Sequence, residues 1–241
     1  MKAVPVVTAS QWQTVAARRV VFGHQSVGNN ILAGLRSLAT GDGVTLPITE
    51  TREPGVAPGI SHFAVGRNGD PLGKVRDFAA VIDGGAAADI ALFKLCYIDF
   101  SGDADPLQVA AAYGDTLEAL RGRHPGTTFV AVTVPLTTVQ DGPKALVKRM
   151  LGRVPDGYAE NARRQAFNDA LRARQDRSGH LFDLAAIEAG TRSLRHDGRE
   201  IQCLDPSLTN DGGHLNDQGA RLVAASLVGF LAGLDGSPGD R

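Results

Sequence analysis

Two short stretches, far apart in the chain, carry side chains whose types and order could make and break an acyl bond. In the first, Gly23-His24-Gln25-Ser26-Val27-Gly28, a serine follows the apolar run Arg19 to Gly23. It opens a segment, Ser26 to Leu38, in which Val27, Ile31, Leu32, Leu35 and Leu38 recur at helical spacing. Free backbone amides and the macrodipole at such a helix start favour negative charge. Ser26 therefore reads either as the helix cap or as a nucleophile whose own amide stabilises an oxyanion. In the second stretch, Asn210 to Asn216 (NDGGHLN), Asp211 precedes His214 by three residues in a glycine-rich turn. A tight turn lets the Asp211 carboxylate hold the Nδ1 hydrogen of His214, leaving Nε2 free to accept a proton from a hydroxyl. The plainer alternative is a turn aspartate, a cap asparagine and a surface histidine.

These residues need a scaffold that brings the two ends of the chain together. Short β-rich apolar runs alternate with longer helical stretches, the pattern of a mainly parallel sheet with helices on both faces. Strands are expected at Arg19 to Gly23, Val44 to Glu50, Asp89 to Cys96, Thr128 to Val134 and Leu181 to Leu184. Helices are expected at Ser26 to Leu38, Pro71 to Ile82, Pro106 to Arg121, Tyr158 to Gln175 and Asn216 to Leu231. Glu53 to Asp70 reads as a Gly/Pro-rich loop, and Thr137 to Gly157 as irregular, with weak helical patterning over Lys144 to Leu151. One domain over residues 1–233 and a disordered tail over 234–241 complete the expectation. Ligands of such a sheet bind beyond the carboxyl ends of its strands, which also draws His24, Tyr97 and Asp99 towards the site as substrate-binding residues.

Composition excludes more than it names. With 25 basic and 26 acidic residues and 5% aromatics, the footprint of a nucleic-acid binder is missing. No apolar run reaches the length of a membrane span. Cys96 and Cys203 form neither a disulfide framework nor a metal motif, and Met1 to Gln13 lacks an apolar signal core, so a reducing, cytoplasmic setting is expected. His124, His180 and His196 read as surface residues, and no histidine and carboxylate spacing suggests a metal or other cofactor. Lys94, alone in an apolar strand, is expected to pair with a carboxylate such as Asp70 or to reach an edge.

Taken with the α/β order, the two stretches resemble the SGNH hydrolase superfamily, the GDSL esterases and lipases. DGGHLNDQG (Asp211 to Gly219) is similar to that family's last block, and VFGHQSVG (Val21 to Gly28) to its first, with GHQS in place of GDS. GRNGDP (Gly66 to Pro71) resembles the second block, and DIALFKLCYID (Asp89 to Asp99) the third, with Cys96 where the glycine and Ile98 where the oxyanion asparagine would stand. The resemblance implies a three-layer α/β/α fold with a flavodoxin-like sheet. It also implies a catalytic triad of Ser26, His214 and Asp211, and an oxyanion hole made by the amides of Ser26 and Gly69 with the Asn68 side chain as substitute donor. His62 and Arg67 read either as pocket residues or as solvated loop. The expected activity is hydrolysis of a small acyl ester, such as acetyl, of a polar alcohol or carbohydrate, by a serine esterase forming an acyl-enzyme. The small acyl group is favoured by the lack of an apolar lid segment. The alternatives are an acyltransferase using the same serine, or a binding protein that kept the fold and lost the chemistry. Oligomeric state is not written in the sequence.

Overall fold

The computed structural model describes residues 2–53, 57–85, 87–175, 180–191 and 194–234. Strand β1 (Arg19–His24) lies mid-sheet, parallel to β3 (Gly59–Ala64) on one side and β4 (Ile90–Phe93) on the other. Beyond β3 lies β2 (Ile48–Glu50), and beyond β4 lie β5 (Thr128–Val132) and β6 (Leu181–Phe182), all parallel, in the order β2-β3-β1-β4-β5-β6. Without the short edge strand β2, this is the flavodoxin-like order 2-1-3-4-5.

Two apolar layers enclose the sheet. Helices α1 (Ala9–Ala16), α2 (Ser26–Gly41), α7 (Leu184–Glu188) and α8 (Asp217–Gly233) meet one face, on which Val20, Phe22, Leu92 and Val130 are buried. On the other face, α3 (Pro71–Asp83), α4 (Pro106–Arg123) and α6 (Tyr158–Gln175) cover Val21, Ala91, Phe93 and Phe129. Because both faces are buried, the strands read as continuous apolar runs rather than alternating ones. Tyr113 on α4 ties the central strands together: its hydroxyl donates to Phe93 O at 2.7 Å and accepts from Val132 N at 3.2 Å.

Several elements depart from the sequence expectation. The stretch taken as a loop from Glu53 to Asp70 contains β3, whose GISHFA was masked by the proline and glycine on its flank. Helix α1 was not anticipated; its start is defined by a capping box between Thr8 and Gln11. The chain also carries an exposed apolar helix after all, α5 (Gly142–Met150), with Leu146, Val147 and Met150 in solvent, continued by Leu151 and Val154. A two-stranded hairpin, β7 (Leu194–His196) and β8 (Arg199–Ile201), packs on α6. Of the tail expected over 234–241, Leu234 is buried in the core and the rest lies outside the described residues. Among the described residues no helix is long and apolar enough to cross a membrane.

Candidate active site

Ser26 is the first residue of α2, directly after an extended Gln25. It does not cap the helix: Gln25 holds the cap position without a side-chain cap, and its Nε2 instead donates to Val65 O at 2.8 Å and Gly66 O at 3.0 Å. The turn is thereby fastened to the chain leaving β3. Ser26 Oγ contacts Cys96 Sγ at 4.0 Å, just beyond β4. The serine thus stands at the carboxyl ends of β1 and β4, the point where successive connections leave in opposite directions. Its amide, at the helix start, has no intrahelical acceptor.

The second stretch folds around one carboxylate. Asp211 Oδ1 accepts the backbone N–H of Gly213 at 2.9 Å and of His214 at 2.8 Å, while Oδ2 meets His214 Nδ1 at 2.7 Å. These bonds, the amides first and the imidazole after them, hold the Asp211 carboxyl well below the usual range. Gly212 adopts φ 88°, in the left-handed region, and a Cβ on Gly213 would stand 3.0 Å from the Tyr97 ring, so both glycines are needed for this turn. The Tyr97 hydroxyl lies 3.4 Å from His214 Nε2. The neighbouring residues Cys96 and Tyr97 therefore contact Ser26 and His214 respectively, and Leu215 N donates to Asn30 Oδ1, one turn along α2 from Ser26, at 3.3 Å. No hydrogen bond joins Ser26 to His214.

The oxyanion residues expected from the sequence divide. Gly69 is corrected: its N–H donates to Asp99 Oδ1 at 2.8 Å and is not free for an oxyanion. Asp99 is corrected too, being 2% exposed rather than lining the site. Its carboxylate accepts Gly69 N, Cys96 N at 2.7 Å, and two bonds from Lys74 Nζ at 2.9 and 2.7 Å. Lys74 spends its remaining proton on Asn68 Oδ1 at 2.8 Å. Since an ammonium only donates, that contact assigns the Asn68 amide: the oxygen faces Lys74, and Nδ2 is left as a donor on an exposed residue.

His24 is the third correction. It is 3% exposed, with Nδ1 on Gln25 O at 2.9 Å and Nε2 on His62 Nδ1 at 3.1 Å. A carbonyl can only accept, so Nδ1 carries the proton and Nε2 accepts from His62; both nitrogens are spent inside the protein. Burial, more than the nearby Lys94 and His62, pushes the His24 pKa down to about 4. Lys94 is fully buried and donates to Leu95 O, while Asp70 caps α3 by accepting Gly73 N, so the pair suggested by the sequence is not formed.

Several buried polar residues were read as surface or missed. On α6, Asn161, Arg164 and Asn168 follow each other at helical spacing and are all inside. Asn168 brackets the peptide groups of Val134, and Asn161 those of Thr137, each accepting the N–H and donating to the C=O. They replace the strand pairing that Pro135 interrupts. Glu188 accepts Leu136 N at 2.8 Å, and burial raises its pKa to about 8. The segment thus held packs on the histidine turn through Thr138 N to Gly212 O at 2.8 Å. A cavity of about 380 Å³ opens between it, Tyr97 and α6. Neither this cavity nor a larger one of about 490 Å³ between α6 and the β7–β8 hairpin is lined by a residue of the two stretches, but the smaller one is lined by Tyr97, whose hydroxyl meets His214, and is therefore the one next to the candidate chemistry.

No protein-family model matches the sequence, and no curated protein matches it. Solved structures do match in three dimensions. A Streptococcus pneumonia protein named for platelet activating factor overlaps with a TM-score of 0.53 at 14% identity, covering 92% of this chain and 91% of its own. An acetyl esterase solved with acetate ion overlaps with a TM-score of 0.51 at 13% identity, covering 88% of this chain and 94% of its own. The chain shares the fold of these two proteins, a parallel sheet between two layers of helices. A lipolytic protein of the G-D-S-L family from Desulfitobacterium hafniense overlaps at 0.49 and 11% identity, over 88% of this chain and 98% of its own. Identities this low carry the fold alone and leave the reaction to be argued from the site.

Proposed function

We propose that the protein is a serine esterase, with Ser26 as nucleophile, His214 as general base and Asp211 as the group that orients the imidazole. The observation that supports this most directly is the 2.7 Å contact of Asp211 with His214 Nδ1, which leaves Nε2 to accept a proton, beside Tyr97, whose neighbour Cys96 contacts Ser26. In the mechanism, substrate binding shortens the path between Ser26 Oγ and Nε2, as is common when a site closes on its ligand. Ser26 Oγ then attacks the ester carbonyl while His214 takes its proton, the imidazolium returns the proton to the departing alkoxide, and water repeats the sequence on the acyl-enzyme. The Ser26 amide and Asn68 Nδ2 are the donors for the oxyanion. The substrate class is an acyl ester of a polar alcohol or carbohydrate; the exposed apolar helix α5 removes the sequence argument for a small acyl group such as acetyl, and an alcohol acceptor in place of water would make the same site an acyltransferase.

A fluorophosphonate probe, read by intact mass and peptide mapping, tests this. A single adduct on Ser26, absent in Ser26→Ala, is expected. No adduct on folded protein would favour a binding protein with the same fold, a reading that the diverted Gly69 amide and the missing third-block asparagine already support.

A further inference from the structure

The strongest unexplained group near this site is Arg164. It is 2% exposed, yet no carboxylate of the described residues lies within ion-pair distance of it. A guanidinium has five N–H donors. Three are spent on neutral acceptors: Nε on Tyr97 O at 3.0 Å, and Nη1 on Thr137 Oγ1 and on Asn161 Oδ1, both at 2.7 Å. The two on Nη2 have no protein partner, and Nη2 is not among the sealed, unpartnered atoms of the interior, so it reaches the 380 Å³ cavity that Arg164 helps to line. Ser101, Thr138 and Gln140 border the same cavity and offer further hydroxyl and amide groups. Its two carboxylates are engaged, Asp156 with Lys148 at 2.7 Å and Glu160 with Gly157 N at 3.1 Å.

We infer that this cavity receives an anionic oxyacid group, a carboxylate or phosphate, carried by the alcohol half of the substrate, with Arg164 as its counter-charge. A buried cation held only by neutral groups is poorly compensated and gains most from an anion brought to it. Loss of solvation already outweighs the pull of Glu160 and lowers the guanidinium pKa to about 10. The placement on the alcohol side follows from Tyr97. Its ring lies 5.7 Å from the Arg164 guanidinium and its hydroxyl meets His214 Nε2, the atom that would protonate the departing alkoxide, so the alcohol leaves towards Tyr97 and the cavity behind it.

The inference rests on the esterase reading for its placement, and the test separates the two. Turnover of 4-acetoxybenzoate, 4-acetoxyphenyl phosphate and the uncharged methyl 4-acetoxybenzoate is compared on the wild-type protein. Binding of 4-hydroxybenzoate and 4-hydroxyphenyl phosphate to Ser26→Ala is measured by calorimetry. A charge-assisted contact predicts a preference in kcat/KM of roughly ten- to a hundredfold for one of the charged esters over the methyl ester, and which one identifies the oxyacid. Arg164→Met should abolish that preference and Arg164→Lys should retain part of it; where neither variant folds, the wild-type preference decides alone. Equal turnover of charged and uncharged esters overturns the inference and leaves the esterase reading intact. Anion binding without turnover of any ester retains the subsite and overturns the esterase reading.

Discussion

Replacing Lys74 by methionine tests what holds the site region in place. The Lys74 ammonium and the Asp99 carboxylate are both 0% exposed, 2.7 Å apart, and every proton of the ammonium has an acceptor. The carboxylate ties together α3 through Lys74, the turn after β4 through Cys96 N and the loop through Gly69 N. Methionine of similar length removes the counter-charge and leaves Asp99 buried with two amide donors. Breaking one side of such a pair costs about 3–5 kcal/mol, because the remaining charge loses its compensation without regaining water. For a chain of this size that corresponds to a fall in Tm on the order of 10 °C. Urea unfolding followed by circular dichroism, with a parallel thermal scan, measures it. Asp99→Asn should also destabilise, and the double variant should cost clearly less than the sum of the two, since the groups share one network. A Lys74→Met protein within about 1 kcal/mol of wild type would refute the view that this pair anchors the site.

Four further outcomes follow from the same geometry. His24 is held neutral below its ordinary pKa of 6.5, to about 4, so its contribution is present above pH 6.5 and is lost as pH falls towards 4. The stability gap between wild type and His24→Asn should therefore shrink by about 3 kcal/mol across that window in urea titrations. Glu188 behaves oppositely: its pKa is raised from 4.5 to about 8, so wild type loses stability relative to Glu188→Gln as pH rises from 4.5 through 8, by about 4 kcal/mol, which thermal scans at pH 5 and 9 detect. Asp211→Asn should present an amide to His214 Nδ1, impose the wrong tautomer and lower kcat by about 10³–10⁴-fold with near-native Tm; unchanged kcat would remove Asp211 from the mechanism. Asn68→Asp keeps an acceptor for Lys74 and removes the Nδ2 donor, so kcat should fall about 100-fold while Tm stays close to wild type.

The sheet and its helices were legible because strands buried on both faces and helices with apolar stripes leave strong periodic signals. The Tyr158–Gln175 helix is recovered residue for residue, while β3 was hidden by the proline and glycine beside it. The two chemical stretches were legible for a local reason: the Asp211 carboxylate acts on residues two and three positions away. What could not be read was polar burial. Asn161, Arg164 and Asn168 look like a charged helix surface until one sees that a strand interrupted by Pro135 needs partners for its peptide groups. A spacing of three and four between those residues was the available signal, and it was outweighed by alanines at 162, 166 and 170 that are only half-buried. Lys74 was lost in the same way, as a lysine on an amphipathic helix.

These buried polar groups also explain why the oxyanion region departs from the resemblance that suggested it. An aspartate after the central strand was matched by type, but its environment decides its role. Fully buried, with Lys74 as counter-ion, Asp99 draws in the amides of Gly69 and Cys96, two groups that an oxyanion hole at this edge could otherwise have used. Ile98, at the place of the asparagine, is 43% exposed, and its side chain has no donor to offer. The same lysine turns the Asn68 oxygen inward and leaves its Nδ2 as a donor. One buried ion pair thus removes two amides from the site and orients a side chain that could replace one of them. A site built this way depends on Lys74 for its donors as well as for its stability, although Lys74 itself, wholly buried, is sealed away from any substrate.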